Sequence, residues 1–258
     1  MSDLLVDIQE NICELTLNRV NKNNAFDDKL IQALCNAYLD AIQSSKVRVI
    51  LLKSNGKHFS AGADLEWMQR MAQFDVEENT DDALLLAQLM HTIYHCPKPT
   101  ITMIQGSAIG GGIGLIAASD VGIAALNASF CFSEVQLGLI PAVISPFIVK
   151  AIGERATKAL FMSAEVFDAP RALTLNLIHH CVPEEKLLEF TLNYAKKCCN
   201  NAPNSVVEAK ILVSAVANRP IDIEMANYTA KLIAHKRGSA EGQNGIKAFL
   251  NKVKPNWN

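Results

Sequence analysis

An amphipathic helix followed at once by an almost uniformly apolar strand leaves few architectures open to this chain. Residues 27–43 carry Leu30, Ile31, Leu34, Tyr38, Leu39 and Ile42 at the three- and four-residue spacing of a helical stripe, with Asp27 or Asp28 placed as N-cap. Val47–Leu52 (VRVILL) then reads as a strand continuous enough to be buried on both faces. Two shorter β-branched runs, Leu4–Ile8 and Ile12–Leu17, come before the helix. A strand, a crossover helix and a second strand predict parallel pairing with a right-handed connection. The pattern is that of an α/β protein.

A second round repeats it. Thr80–Cys96 is helical in pattern, Pro97 and Pro99 end it, and Thr100–Ile104 reads as a strand. A glycine-dense turn leads into a helix over Ile113–Ala118, followed by strands at Val121–Ala124 and Ser129–Phe132. From Ile144 onward nearly everything is helical in pattern, with Asn200–Pro203 separating two helices. The outline is an α/β core over residues 1–200 and a helical region over 201–258.

Composition bounds the function classes. With 258 residues, half of them apolar and 19% charged, the chain has enough apolar material for one large core. A formal net charge of −2 supplies no general field for nucleic acid or anionic lipid. No apolar run reaches the roughly 18 residues of a membrane span, and MSDLLVDIQE has acids where a signal peptide has basic residues. The seven cysteines are scattered with no CxxC pair, as in a reduced cytoplasmic protein with buried thiols.

Three segments carry the chemistry. Gly106-Ser-Ala-Ile-Gly110-Gly111-Gly112-Ile-Gly114-Leu115 lies between a strand and a helix, where uncovered backbone N–H groups favour an anion or a developing oxyanion. It departs from a dinucleotide fingerprint, because Leu115 stands where the third glycine belongs, and from a P-loop, because no Gly-Lys-Ser/Thr follows. A tight turn with close helix–strand packing explains the glycines equally well. His58-Phe-Ser-Ala-Gly62-Ala63-Asp64 is a second strand-to-helix turn, leading into a short helix over Leu65–Met71 that Asp64 is placed to cap. Two such turns could aim two N–H groups at one carbonyl oxygen and acidify the carbon beside it. Phe132-Ser-Glu134-Val-Gln-Leu-Gly138-Leu-Ile-Pro141 sets one carboxylate in an apolar segment, where burial would raise its pKa toward that of a useful acid or base.

These segments, in this order and spacing, resemble the enoyl-CoA hydratase/isomerase (crotonase) superfamily. The resemblance also covers Leu17-Asn18-Arg19, Asn24-Ala25-Phe26, Glu241-Gly242 and Ala248-Phe249-Leu250-x-Lys252 with Pro255 and Trp257, so it runs nearly end to end. It implies a spiral of repeated ββα turns with a helical C-terminal part that forms homotrimers, often paired into hexamers. It implies acyl-CoA thioesters as substrates, coenzyme A arriving as part of the substrate, and no metal or redox cofactor; the net charge and the lack of an apolar span leave neither nucleic acid nor membrane expected as partner. By position, Ala63 and Gly111 would supply the N–H pair for the thioester oxygen, and Glu134 the catalytic carboxylate. Asn23, Asn24, Ala25, Ser60, Ala61, Asp64 and Leu65 would line the coenzyme A, with Phe249 and Lys252 reaching a neighbouring subunit's ligand. Gly110, Gly114, Pro141, Trp67 and Met68 would shape the acyl pocket.

One departure matters. Two-acid hydratases carry a first Glu two residues after the third glycine, and here that place is Gly114. One-carboxylate isomerases of the superfamily share this lack. The strip Phe130–Phe147 is similar to bacterial methylglutaconyl-CoA hydratases of leucine breakdown, which often have Gly at that place. The expected activity is therefore hydration of a 2-enoyl-CoA through Glu134. Δ3,Δ2-enoyl-CoA isomerisation by the same Glu and non-catalytic binding of acyl-CoA or RNA are the alternatives. His91 and His95 have ligand spacing on a helix but Thr92 replaces the H-E-x-x-H glutamate, and adjacent His179 and His180 on a strand point to opposite faces, so neither pair predicts a metal site.

Overall fold

The computed structural model describes residues 2–257. β1 (Leu4–Gln9) and β2 (Ile12–Leu17) form an antiparallel hairpin. α1 (Asp28–Gln43) then crosses over, and β3 (Val49–Ser54) pairs parallel with β2. Asp27 is the cap: the Leu30 N–H donates to its Oδ1 at 2.9 Å. The strand starts two residues later than its apolar run, with Val49 opposite Ile12, the first residue of β2, and the Arg48 guanidinium before it donates to the Cys199 carbonyl at 3.1 Å and the Trp257 carbonyl at 2.6 Å.

α2 (Leu65–Met71) and α3 (Val76–Tyr94) lead to β4 (Thr100–Ile104). α3 begins before Thr80 because Asp75 and Glu78 form a reciprocal capping box, and its first turns are exposed and so carry no apolar stripe. From β4 a two-strand, one-helix unit recurs. β4 enters the large sheet, β5 (Ser107–Ile109) enters a small second sheet, and α4 (Gly111–Ala118) follows; then β6 (Val121–Ala125) enters the large sheet and β7 (Ser129–Cys131) the small one.

After α5 (Ser145–Ile152) and α6 (Glu154–Ser163) the chain is not purely helical, contrary to its pattern. β8 (Phe167–Asp168) pairs antiparallel with β7, and, after α7 (Ala169–Thr174), β9 (His180–Val182) pairs parallel with β6. Both are edge strands of two or three residues, too short to show alternation. The six-stranded sheet runs β1-β2-β3-β4-β6-β9 and the three-stranded one β5-β7-β8.

Period-two alternation places β3 in two cores at once. Ile50 and Leu52 join the cluster with Leu34, Tyr38 and Ile113, while Val49 and Leu51 join Ile101, Ile123 and Leu187 under α8 (Glu184–Cys199). Each such side chain removed from water is worth about 1.5–3 kcal/mol. α9 (Pro203–Val216), α10 (Ile223–Gly238) and α11 (Ala240–Leu250) follow, and Ala248 is their one buried residue. Among the described residues no helix is long and apolar enough to cross a membrane.

Candidate active site

The turn between β3 and α2 is held by the loop before α1. Phe26 N–H donates to the Gly62 carbonyl and Asp64 N–H to the Phe26 carbonyl, both at 2.7 Å, and Ala61 N–H donates to the Asn23 carbonyl at 2.9 Å. This pairing skips Ala63, whose N–H has no hydrogen-bond partner among the described residues. The same holds for Gly111 N–H, in the first turn of α4, where a helix leaves its amides unpaired. Ser60 bridges to Ala108 in β5, joining the two turns.

Glu134 opens a short 3-10 turn, Glu134–Leu137, directly after β7. Gly138, at φ 73°, closes that turn by donating its N–H back to the Val135 carbonyl. The Glu134 Oε2 is buried with no hydrogen-bond partner. Burial pushes the carboxyl above the ordinary glutamate range.

Ala63, Gly111 and Glu134 line one cavity of about 630 Å3. Ala61 and Leu65, expected on the coenzyme A, and Trp67, Met68, Gly110 and Pro141, expected on the acyl pocket, all line it. Its wall is mostly aliphatic and aromatic, with Phe26, Met71, Leu86, Val143 and Ile144 among the side chains. Two amides without partners and one buried carboxyl whose pKa burial raises, around an apolar chamber, can polarise a carbonyl and move a proton at the neighbouring carbon. Each amide of that kind contributes roughly 2.7–4 kcal/mol to an oxyanionic transition state.

Several expectations need correction. Gly114 is buried and does not line the cavity: the Ile144 side chain and the Met90 methyl fill the space a β-carbon would need. The side chains of Asn24, Ser60 and Asp64 are buried and spent on internal partners, which leaves only the backbone of these loops for a ligand. Asn24 Oδ1 accepts from Arg19 N–H at 2.9 Å, and its Nδ2 donates to the Asn55 and His58 carbonyls. Ser60 Oγ donates to the Asn24 carbonyl at 2.9 Å. Asp64 caps α2 through Glu66 N–H and Trp67 N–H and pairs with Arg19 at 3.2 Å and Lys22 at 2.8 Å. Burial alone would raise its pKa, yet the Lys22 and amide hydrogen bonds hold it below the usual range.

Asn23 is exposed and Ala25 buried beside this network. Phe249, 82% exposed on α11, and exposed Lys252 lie outside the cavity wall. The His91 and His95 rings meet at a 43° tilt with centroids 4.2 Å apart. His179 Nδ1 accepts from Gly122 N–H at 3.1 Å, and the His180 ring packs by Phe190 and Tyr194.

Asp82 was missed by the sequence reading. With Asn79, Ala83 and Leu86 it forms a three-, four- and seven-residue-spaced face of α3 on the cavity, and Trp67 Nε1–H donates to its Oδ1 at 3.0 Å. That helical spacing was the available signal.

Known proteins match this chain over its whole length. The family model for enoyl-CoA hydratase/isomerase covers residues 7–258. The 2,3-dehydroadipyl-CoA hydratase of Escherichia coli K12 is 28% identical, aligned over 100% of this chain and 99% of its own. The enoyl-CoA isomerase/hydratase fer4 of Mycosarcoma maydis is 31% identical over 95% of this chain and 91% of its own. A Legionella pneumophila crystal structure described as an enoyl CoA hydratase/isomerase (crotonase) superposes with a TM-score of 0.98 at 61% identity, covering 100% of both chains. An enoyl-CoA hydratase structure from Shewanella pealeana gives 0.94 at 41%, covering 99% and 96%. The alternation of strands between two sheets is thus the crotonase fold, and the chain belongs to the enoyl-CoA hydratase/isomerase family.

Proposed function

We propose that this protein hydrates a 2-enoyl-CoA thioester. The observation that carries the reading is the meeting, in one apolar cavity, of the unpartnered Ala63 and Gly111 amides with the unpartnered Oε2 of Glu134. The thioester oxygen would sit between the two amides, where charge building on it is stabilised. As the water oxygen bonds to C3, its proton passes to the Glu134 carboxylate. The same carboxyl then delivers a proton to C2, and the enolate collapses to the 3-hydroxyacyl thioester. Water is added across the double bond and Glu134 ends as it began, so the step balances without an oxidant or reductant. Coenzyme A arrives with the acyl group. Backbone of the 23–25 and 60–65 loops would hold it, joined by Phe249 and Lys252 across a subunit boundary. Exposed apolar side chains on α9–α11, including Val213, Ile223, Ile233 and Phe249, support a trimeric or hexameric assembly.

Δ3,Δ2-enoyl-CoA isomerisation is a second reading, favoured by the apolar filling beside Gly114, where no second acid grips water. Glu134 would then carry a proton from C2 to C4.

Absorbance of the conjugated thioester separates the readings. Hydration bleaches 2-enoyl-CoAs, while isomerisation raises the absorbance of 3-enoyl-CoAs. Tight acyl-CoA binding with neither change would leave a binding protein and overturn both. Methylglutaconyl-CoA, the substrate suggested by the Phe130–Phe147 strip, belongs in the 2-enoyl panel.

A further inference from the structure

The acyl cavity contains a carboxylate that the proposed reaction does not use. Asp82 projects from α3 into the same space as Glu134, and Trp67, 5% exposed, holds it there through the 3.0 Å Nε1–H to Oδ1 bond. Its other oxygen, Oδ2, accepts no hydrogen bond among the described residues. The neighbouring Asn79 amide cannot relieve it, since both its contacts go back to the Phe74 and Asp75 carbonyls. Among the described residues that line the cavity, none is Lys, Arg or His. Around Asp82 the wall is Leu86, Met68 and Met71, surface that rewards an uncharged chain.

We infer that Asp82, fixed by Trp67, is a specificity-determining residue that rejects acyl tails ending in a carboxylate and reserves the cavity for uncharged 2-enoyl chains. The inference rests on the hydratase reading for where the acyl group lies, and it argues against methylglutaconyl-CoA, whose acyl tail itself ends in a carboxylate, as the substrate. The physics is that of an unmatched like charge. A further carboxylate brought into a chamber that already holds Asp82 and Glu134 loses its water and gains no counter-charge. Specificity then comes from a repulsive element against the wrong substrate, not from extra contacts to the right one. The Trp67 bond matters because it ties one Asp82 oxygen to a buried ring on the cavity wall.

A matched pair of six-carbon substrates tests this, since hex-2-enoyl-CoA and 2,3-dehydroadipyl-CoA differ only in a terminal methyl against a terminal carboxylate. Both would be assayed for kcat/KM with the wild type and with Asp82→Asn, which keeps the shape and the Trp67 partner. We expect the wild type to favour the uncharged substrate by at least about a hundredfold and Asp82→Asn to narrow that ratio by at least about tenfold. Comparable use of both substrates by the wild type would overturn the inference. So would an Asn variant that moves both values by the same factor, which is what a purely structural Asp82 produces. Failure of the wild type on both would refute the hydratase reading instead. Calorimetric affinities for the same two thioesters would then still read the charge discrimination, and equal affinities would sink it.

Discussion

A β-carbon on Gly110 would stand 2.9 Å from Glu134 Oε1, so the turn that presents the Gly111 amide is also the surface against which the acid rests. The residue must be glycine twice over, because its φ is +51° and its missing side chain is where the carboxyl lies. Amide and acid are therefore set relative to each other by one backbone segment. Gly110→Ala is expected to lower kcat by about a hundredfold, since misplacing a reacting group by about 1 Å costs that much. Single-turnover kinetics, with thermal unfolding to show that the variant is folded, checks it.

Glu134→Gln separates chemistry from binding. Turnover is expected to fall by about 10²–10⁴-fold, the usual worth of a positioned acid or base, while acyl-CoA affinity stays close to that of the wild type. Steady-state rates and calorimetric titration with a non-reactive acyl-CoA read the two effects.

The same substitution makes a stability prediction of definite sign. The Glu134 carboxyl is raised in the folded state, so its contribution is fully present below the unfolded-chain value of about 4.5 and is lost as pH climbs through the folded value. Gln carries no such liability. Urea melts should show equal stabilities in acid and a more stable Glu134→Gln variant at neutral pH and above. Parallel curves across that range would contradict the burial of the carboxyl.

Gly114 should tolerate a side chain poorly. With Ile144 and Met90 packed against its α-carbon, Gly114→Ala is expected to cost about 1–3 kcal/mol by overpacking. Adding Ile144→Ala should recover part of that cost, a coupling that a double-mutant cycle in urea measures directly. Gly114→Glu alone should therefore fail to build a two-acid site.

Arg19 holds the loop before α1 to the turn carrying Ala63. It is 6% exposed, donates to the Ala25 carbonyl at 2.8 Å and pairs with Asp3, Asp27 and Asp64. Arg19→Met leaves the buried Asp64 short of a partner and should destabilise the chain by about 3–5 kcal/mol, seen as a lower urea midpoint. Asp64 has its pKa lowered, so the stability it adds in the wild type is present above the unfolded-chain value and fades as pH falls.

What the sequence reveals and hides follows from range. The β3 run, the α1 stripe and the Asp27 and Asp64 caps are local patterns, and they appear in the structure within two residues of where they were read. The turns around Ala63 and Gly111 and the segment of Glu134 are also local, and their convergence followed from the family resemblance. Asp82 was hidden because an acid near the start of a helix normally answers the helix dipole, and Thr80 was taken as that start. With the true start at Val76, Asp82 moves to the second turn and onto the cavity face. Gly114 misled for the opposite reason. The side chain that closes its space comes from Ile144, thirty positions further on and visible only once α4 and α5 are packed.

The carbonyl grip is made of main chain and the proton carrier of a side chain, and the two belong to different windings of the spiral. Point mutation can replace the carrier outright, whereas the grip has no side chain to replace. A lineage built this way could try new reactions one residue at a time while never releasing its thioester.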